Sequence, residues 1–527
     1  MADQPGGDDK VPVDEPTTQQ AAEPQGVDPQ TAEPRGADPQ GVEPRTAEAQ
    51  DVEPQAAEPQ VPHNAHLFVA AGPARRGPHP VLIPVVVLGA VLLLMLGLVG
   101  FGNPGAREVL DTTRAHTSPA APPSAASPTT TAAPTPTPTP RTEITVDEVK
   151  SVATAQGDAL RAGDLNAFLA PYDQARPELL AERRRVFANL RLIPFTRAVF
   201  RWDGVSSGSL STRDGGPVNA DVSVEFVHQI PGVDLAPAVQ TYRWTVSREA
   251  IGAPLRITAV ANDDPQAWDL AELVKVERPH VILLAAVADR AKSAQWADRA
   301  ETAAKRDLAL WKGPADIPSR FLVFASPDPG TFGQAYGGDT PEGTVAFCSP
   351  VLRDRDDPGA DPARPIAGSR ITWDTDAKGM SAYDAQTGVM RHEMGHALMA
   401  GFSGTRAGRM PLWVVEGFAE YLEWADLFGD YYAPDAREYV RGRSFPGKIP
   451  TDDQIYGEDP EANGINYHLS MTVIRYMVDK YGAAKTYTFV IAVYREPGSV
   501  DAALKTATGL DKATFEANWA KWVKSHV

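Results

Sequence analysis

Apolar residues follow three different rhythms along this chain. Across residues 1–74 they are scarce, and an acidic residue recurs every fifth position (Glu23, Asp28, Glu33, Asp38, Glu43, Glu48, Glu53, Glu58), nearly always followed by proline. Proline at that density removes donors and blocks helices, and too few apolar groups remain to offset chain entropy. The pattern predicts an extended, disordered acidic tail. Residues 81–101 are the opposite, 21 residues without a charge. That length crosses about 30 Å of hydrocarbon as a helix. Residues 111–142 form a Pro/Thr-rich linker, ending in a T-P-T-P-T-P run that favours an extended polyproline conformation.

From residue 143 onward apolar positions take helical or strand spacing. Helical periodicity covers 146–172 and 177–190, and strand-like runs follow at 196–202, 218–229, 240–247 and 255–261. Helices first and strands afterwards predict a small α+β domain over 143–264. A second domain, 265–527, opens with a buried strand at 281–286 and an amphipathic helix at 288–311. Strands are expected at 321–325, 344–347 and 369–374, and the rest reads as helices at 389–400, 412–422, 466–482, 483–495 and 514–525. The fold class is α+β, a small sheet with a helical region after it.

Charge changes this picture little. The net charge is −18, and residues 1–60, with fourteen acidic and three basic residues, carry 11 of those negative charges. No basic patch points to nucleic acid. Oligomeric state is not written in the sequence. The single cysteine, Cys348, excludes a disulfide framework and reads as a small buried apolar residue. The 81–101 run lies too deep for a cleaved signal peptide and is expected to stay as a single-pass anchor. Arg75 and Arg76 precede it, whereas Arg107 and Glu108 after it nearly cancel. The positive-inside rule puts the N-terminus in the cytoplasm and residues 143–527 outside the cell membrane.

The chemistry concentrates between 389 and 422. His392 and His396 stand four apart on a predicted helix, so both imidazoles project from one face and can share a Zn²⁺. Glu393 between them can reach water without ligating the metal. A catalytic zinc needs a third protein ligand and an open position. Glu416, in W-V-V-E-G-F-A-E-Y, is the candidate, with Glu420 one turn later on the same face. Asp221, Glu225 and His228 read as a solvated strand face, and the charged run 353–357 as a solvated loop. The Gly/Pro/Asp-rich stretch 445–464 is a cleft rim or a plain connection.

H-E-M-G-H followed by W-V-V-E-G-F-A-E-Y resembles the gluzincin zinc metallopeptidases, in particular the bacterial peptidase-MA-like domains, over roughly 261–527. The resemblance implies a zincin-like domain with His392, His396 and Glu416 as zinc ligands and Glu393 as general base. It also implies a tyrosine near the start of a later helix as oxyanion donor. Tyr467 fits that place, and His468 competes for it. Where relatives carry an aspartate that bonds a zinc-bound histidine, this chain has Glu420. The strand at 369–374 would form the cleft edge that pairs with an extended peptide. The segment A-L-R-A-G-D-L-N-A-F resembles the nuclear-transport-factor-2-like fold and implies no chemistry.

The function expected is hydrolysis of peptide bonds in a peptide or protein substrate by a membrane-anchored zinc enzyme. Two alternatives stand beside it: a membrane-anchored binding or scaffold protein with a structural or inactive zinc site, and a zinc amidase acting on cell-wall peptides.

Overall fold

The computed structural model describes residues 141–526, apart from 213–214, 339, 341–342, 379–380, 405–409, 426–433 and 458. The acidic tail, the apolar run 81–101 and the linker up to residue 140 lie outside the described residues, as does most of the aromatic stretch that follows Trp424. Among the described residues no helix is long and apolar enough to cross a membrane.

Strand β1 (Thr142–Glu143) pairs with β3 (Ser211–Thr212) as a short ribbon. Helix α1 (Val146–Ala162) starts in a capping box, with the Thr145 and Glu148 side chains each bonding the other's backbone. It stops at Gly163, whose φ of 74° only glycine adopts cheaply. Helices α2 (Leu165–Leu169) and α3 (Pro177–Leu192) follow, then strands β2 (Arg197–Gly208), β4 (Val218–Gln229), β5 (Ala238–Arg248) and β6 (Arg256–Ala261). Next come α4 (Ala267–Leu270), β7 (Leu273–Glu277), β8 (Val281–Ala286), α5 (Arg290–Leu310), β9 (Phe321–Ser326), α6 (Pro329–Tyr336), β10 (Ala346–Arg353) and β11 (Ile366–Asp374). The remainder is helical: α7 (Tyr383–Ala400), α8 (Leu412–Trp424), α9 (Pro434–Arg441), α10 (Asp452–Ile455), α11 (Pro460–Tyr481), α12 (Ala483–Arg495), α13 (Val500–Thr508) and α14 (Lys512–His526).

One nine-stranded sheet runs in the order β2-β4-β5-β10-β11-β9-β8-β7, with β6 on β5. It therefore crosses position 264/265, where the sequence reading draws a domain boundary. The crossing is narrow: Leu352 and Arg353 of β10 pair with Val239 and Ala238 of β5. Strands β8 and β9 serve two cores at once because side chains alternate. Val281, Leu283, Phe321 and Val323 face the helical side with α7 and α8, whereas Ile282, Leu284, Leu322 and Phe324 join the core of the N-terminal helices and strands.

Three expectations need correction. Glu225 and His228 are buried rather than solvated. Glu225 pairs with Arg201, and His228 Nε2 lies 3.1 Å from Arg370 Nη2, which also binds Asp234. Alternation puts His228 on the face of Val224 and Phe226, against Trp268, while Glu225 on the opposite face is covered by Arg201 and Arg355. In the 353–357 loop Arg355 and Asp356 are exposed as expected, but Asp354, fully buried, takes Arg201 at 2.9 Å and Arg197 at 3.3 Å. Finally, β11 is an interior strand, antiparallel to β10 and parallel to β9, so it is not a sheet edge. Beyond residue 351 it is β10 that turns its other side to β5.

Candidate active site

Helix α7 lies across β10 and β11 and against α5, and is buried along nearly all of its length. A buried helix needs its polar side chains partnered. Arg391 is the clearest case. Its guanidinium binds Asp307 Oδ1 of α5 at 3.0 Å and the Leu422 carbonyl at the end of α8. Both members of this pair are essentially without solvent contact. One side chain thus joins α5, α7 and α8 next to the two histidines.

Small residues set how closely these helices approach. A Cβ on Gly395 of α7 would lie 3.2 Å from Ala419 Cα of α8. A Cβ on Gly417 of α8 would lie 2.6 Å from the Ser470 carbonyl oxygen of α11. Helix α8 is therefore wedged between α7 and α11 at glycine contacts, with Glu416 beside one of them.

That packing gathers three donor atoms. His392 Nε2 and His396 Nε2 are 3.1 Å apart, and Glu416 Oε2 is 3.3 Å from the first and 3.5 Å from the second. A tetrahedral zinc site with arms of about 2.0–2.1 Å has ligand–ligand edges of about 3.3–3.4 Å. The three separations match those edges, and two imidazoles with one carboxylate are zinc-type donors. Around them Glu393, Glu416, Glu420 and Glu423 place four carboxylates beside two histidines, an excess of negative charge suited to a dication. Burial pushes Glu393 up from its ordinary value against the pull of the two histidines. Glu416 is also buried, yet His396 and His392 hold it well below the usual carboxylate range. Glu393 Oε2 is buried and without a hydrogen-bond partner among the described residues, an acceptor kept available beside the three donors.

The remaining sequence candidates divide. Glu420 Oε1 is 4.0 Å from His392 Nδ1, beyond hydrogen-bond reach, whereas Glu423 Oε2 is at 3.4 Å. Glu423, absent from the sequence reading, is thus the nearer carboxylate to the outer nitrogen of His392. Tyr467 joins the cluster, its ring centroid 6.4 Å from that of His392. His468 does not: its Nδ1 faces the Gly464 carbonyl at 3.1 Å and its ring lies against Trp424. Tyr456 also escaped sequence reasoning, and its hydroxyl donates to Glu416 Oε1 at 2.6 Å. A cavity of about 700 Å³ beside Arg183, Tyr242 and Asp269 contains none of these residues, and its Asp269 is already satisfied by Tyr242, Gln240 and Asn262.

A family model described as Peptidase MA superfamily (Peptidase_MA_2) matches residues 378–525. The match takes in α7, α8 and α11, and so every residue of the cluster. It points to peptidase activity, and the superfamily is typically metal-dependent. No curated protein matches the chain. The similarity to the peptidase MA superfamily thus spans residues 378–525, with His392, His396 and Glu416 inside it.

Proposed function

We propose that this protein is a zinc metallopeptidase that hydrolyses peptide bonds, with His392, His396 and Glu416 holding the metal and Glu393 as general base. The observation that carries the reading is the convergence of His392 Nε2, His396 Nε2 and Glu416 Oε2 within 3.5 Å of one another. Zinc bound there supplies a Lewis acid that polarises a carbonyl and acidifies water. The chain's own residues do the rest. Glu393 offers its uncommitted Oε2 to accept a proton from the attacking water and then returns it to the departing amine. Glu423 steadies His392 from its outer nitrogen. Tyr467 lines the site beside His392, where its hydroxyl can turn toward a substrate oxygen. The proposal includes anchoring by residues 81–101, with this domain on the extracytoplasmic side.

The test uses the purified full-length protein, metal analysis, and mass-spectrometric detection of cleavage in a mixed peptide library that includes cell-wall peptides. Glu393→Gln should retain zinc while turnover falls by about 10²–10⁴-fold, the usual worth of a general base. His392→Ala should lose both metal and turnover. Cleavage by Glu393→Gln at the parental rate would show the assignment to be wrong.

A further inference from the structure

The stretch 445–464 reads in sequence as a rim or a plain connection, yet it delivers a side chain to the centre of the cluster. Two clamps hold it there. Asp452 Oδ1 accepts the Leu412 N–H at the start of α8, at 2.8 Å. On the other side, Asn463 of α11 bonds both the N–H and the carbonyl of Gly457, each at 2.9 Å, and Asn466 donates to the Gln454 carbonyl at 2.8 Å. The segment is thus fastened to both the helix that carries Glu416 and the helix that carries Tyr467. Tyr456 lies between the clamps, its hydroxyl 2.6 Å from Glu416 Oε1 and its ring centroid 6.0 Å from that of Tyr467.

The Tyr456 hydroxyl carries one proton and donates it to Glu416 Oε1. The Tyr467 ring packs beside Tyr456, with centroids 6.0 Å apart. The Tyr456 bond occupies one carboxylate oxygen and leaves the other, Oε2, facing both histidine nitrogens.

We propose that Tyr456 is a positioning residue for the metal site: it holds Glu416 Oε1 out of the coordination sphere, so that Glu416 binds through Oε2 alone and a corner is left for solvent and substrate. The inference rests on the metal-site reading above. A carboxylate free to rotate can present both oxygens, and the second would take up the open position a catalytic site needs. Tyr456 touches the ligand, not the reacting atoms, so its contribution appears in metal binding and coordination before it appears in turnover.

The experiment compares full-length parent, Tyr456→Phe and Tyr467→Phe. Zinc affinity is measured by competition with a chromophoric chelator, and coordination number by the visible absorption of the cobalt-substituted proteins. Tyr456→Phe should bind zinc about 10–100-fold more weakly, the range for loss of an outer hydrogen bond to a ligand. Its cobalt spectrum should shift toward higher coordination, while apo-protein melting stays near the parental value. Tyr467→Phe, one step further out, should show a smaller loss of affinity. Parental affinity and an unchanged cobalt spectrum in Tyr456→Phe would overturn the proposal. Should Tyr456→Phe fail to fold, Tyr456→His, which keeps an N–H donor, carries the test: affinity near parental supports the proposal and a four-coordinate spectrum with 100-fold weaker binding opposes it. If the parent itself binds no zinc, the metal-site reading fails and takes this inference with it; a failure confined to Tyr456→Phe leaves that reading standing.

Discussion

Gly417→Ala is the sharpest probe of how the helices set the site. The added methyl would meet the Ser470 carbonyl oxygen at 2.6 Å and its carbon at 2.7 Å, where ordinary contact begins near 3.4 Å. These are backbone atoms, so no side chain can swing aside. Helix α8 must move away from α11 by roughly 0.8 Å, while functional constellations tolerate about 0.5 Å. Overpacking of this kind costs about 1–3 kcal/mol, and alanine regains about 1 kcal/mol of helix propensity over glycine. The expected net loss is about 0–2 kcal/mol, a melting temperature lower by at most several degrees. The larger effect is local, because Glu416 is the preceding residue and shifts with the backbone. Zinc affinity, by chelator competition, should fall about tenfold or more. Gly498→Ala, whose methyl meets nothing within 4 Å, is the control and should change neither quantity. A Gly417→Ala protein with parental melting and parental zinc affinity would refute the claim that this glycine contact sets the position of Glu416.

Two further outcomes follow from buried charges. Asp307→Ala removes the carboxylate partner of the buried Arg391 guanidinium, and urea unfolding should show a loss of about 3–5 kcal/mol; a loss below 1 kcal/mol would mean the pair does not tie α5 to α7. His228 is buried with Nδ1 facing the Phe226 carbonyl and Nε2 facing Arg370, and burial, with the Arg370 charge, lowers its pKa to about 4. The unfolded chain protonates near pH 6.5, so stability is full above that value and falls by about 3 kcal/mol as pH drops toward 4. His228→Gln cannot take up that proton, and its stability should decline less steeply between pH 6.5 and 4; parallel curves would exclude His228 as the group responsible.

The candidate metal-site residues were legible in the sequence because their spacing is local. Four residues on a helix bring His392 and His396 together without help from the rest of the fold, and Glu416 stood out within a second amphipathic helix. What surrounds them depends on packing between elements. Glu423 lies nearer His392 than Glu420 does because the crossing of α7 and α8, set at Gly395, decides which turn faces the histidine. Tyr456 sits in a Gly/Pro/Asp-rich stretch with no periodicity, and only the hydrogen bonds of Asp452 and Asn463 bring it inward. The strand boundaries at 218–229 and 281–286 agree with the observed elements, the first an alternating apolar pattern and the second a short continuous apolar run. Strand β7 was missed: Lys275 and Glu277 break the apolar pattern of an outer strand. That β11 is interior was equally hidden, because a buried run reads the same at an edge as in the middle.

The shared strands bear on any attempt to dissect this chain. Cutting at residue 265 would retain the peptidase-matching segment yet strip the cover from Ile282, Leu284, Leu322 and Phe324, four large apolar side chains on one face. It would also sever β5 from β10 at Val239 and Ala238. Such a fragment would carry a sticky hydrophobic surface and a bare β10 border into solution, both invitations to aggregate. The smallest piece that keeps its own interior closed begins near residue 141, well upstream of the H-E-M-G-H motif.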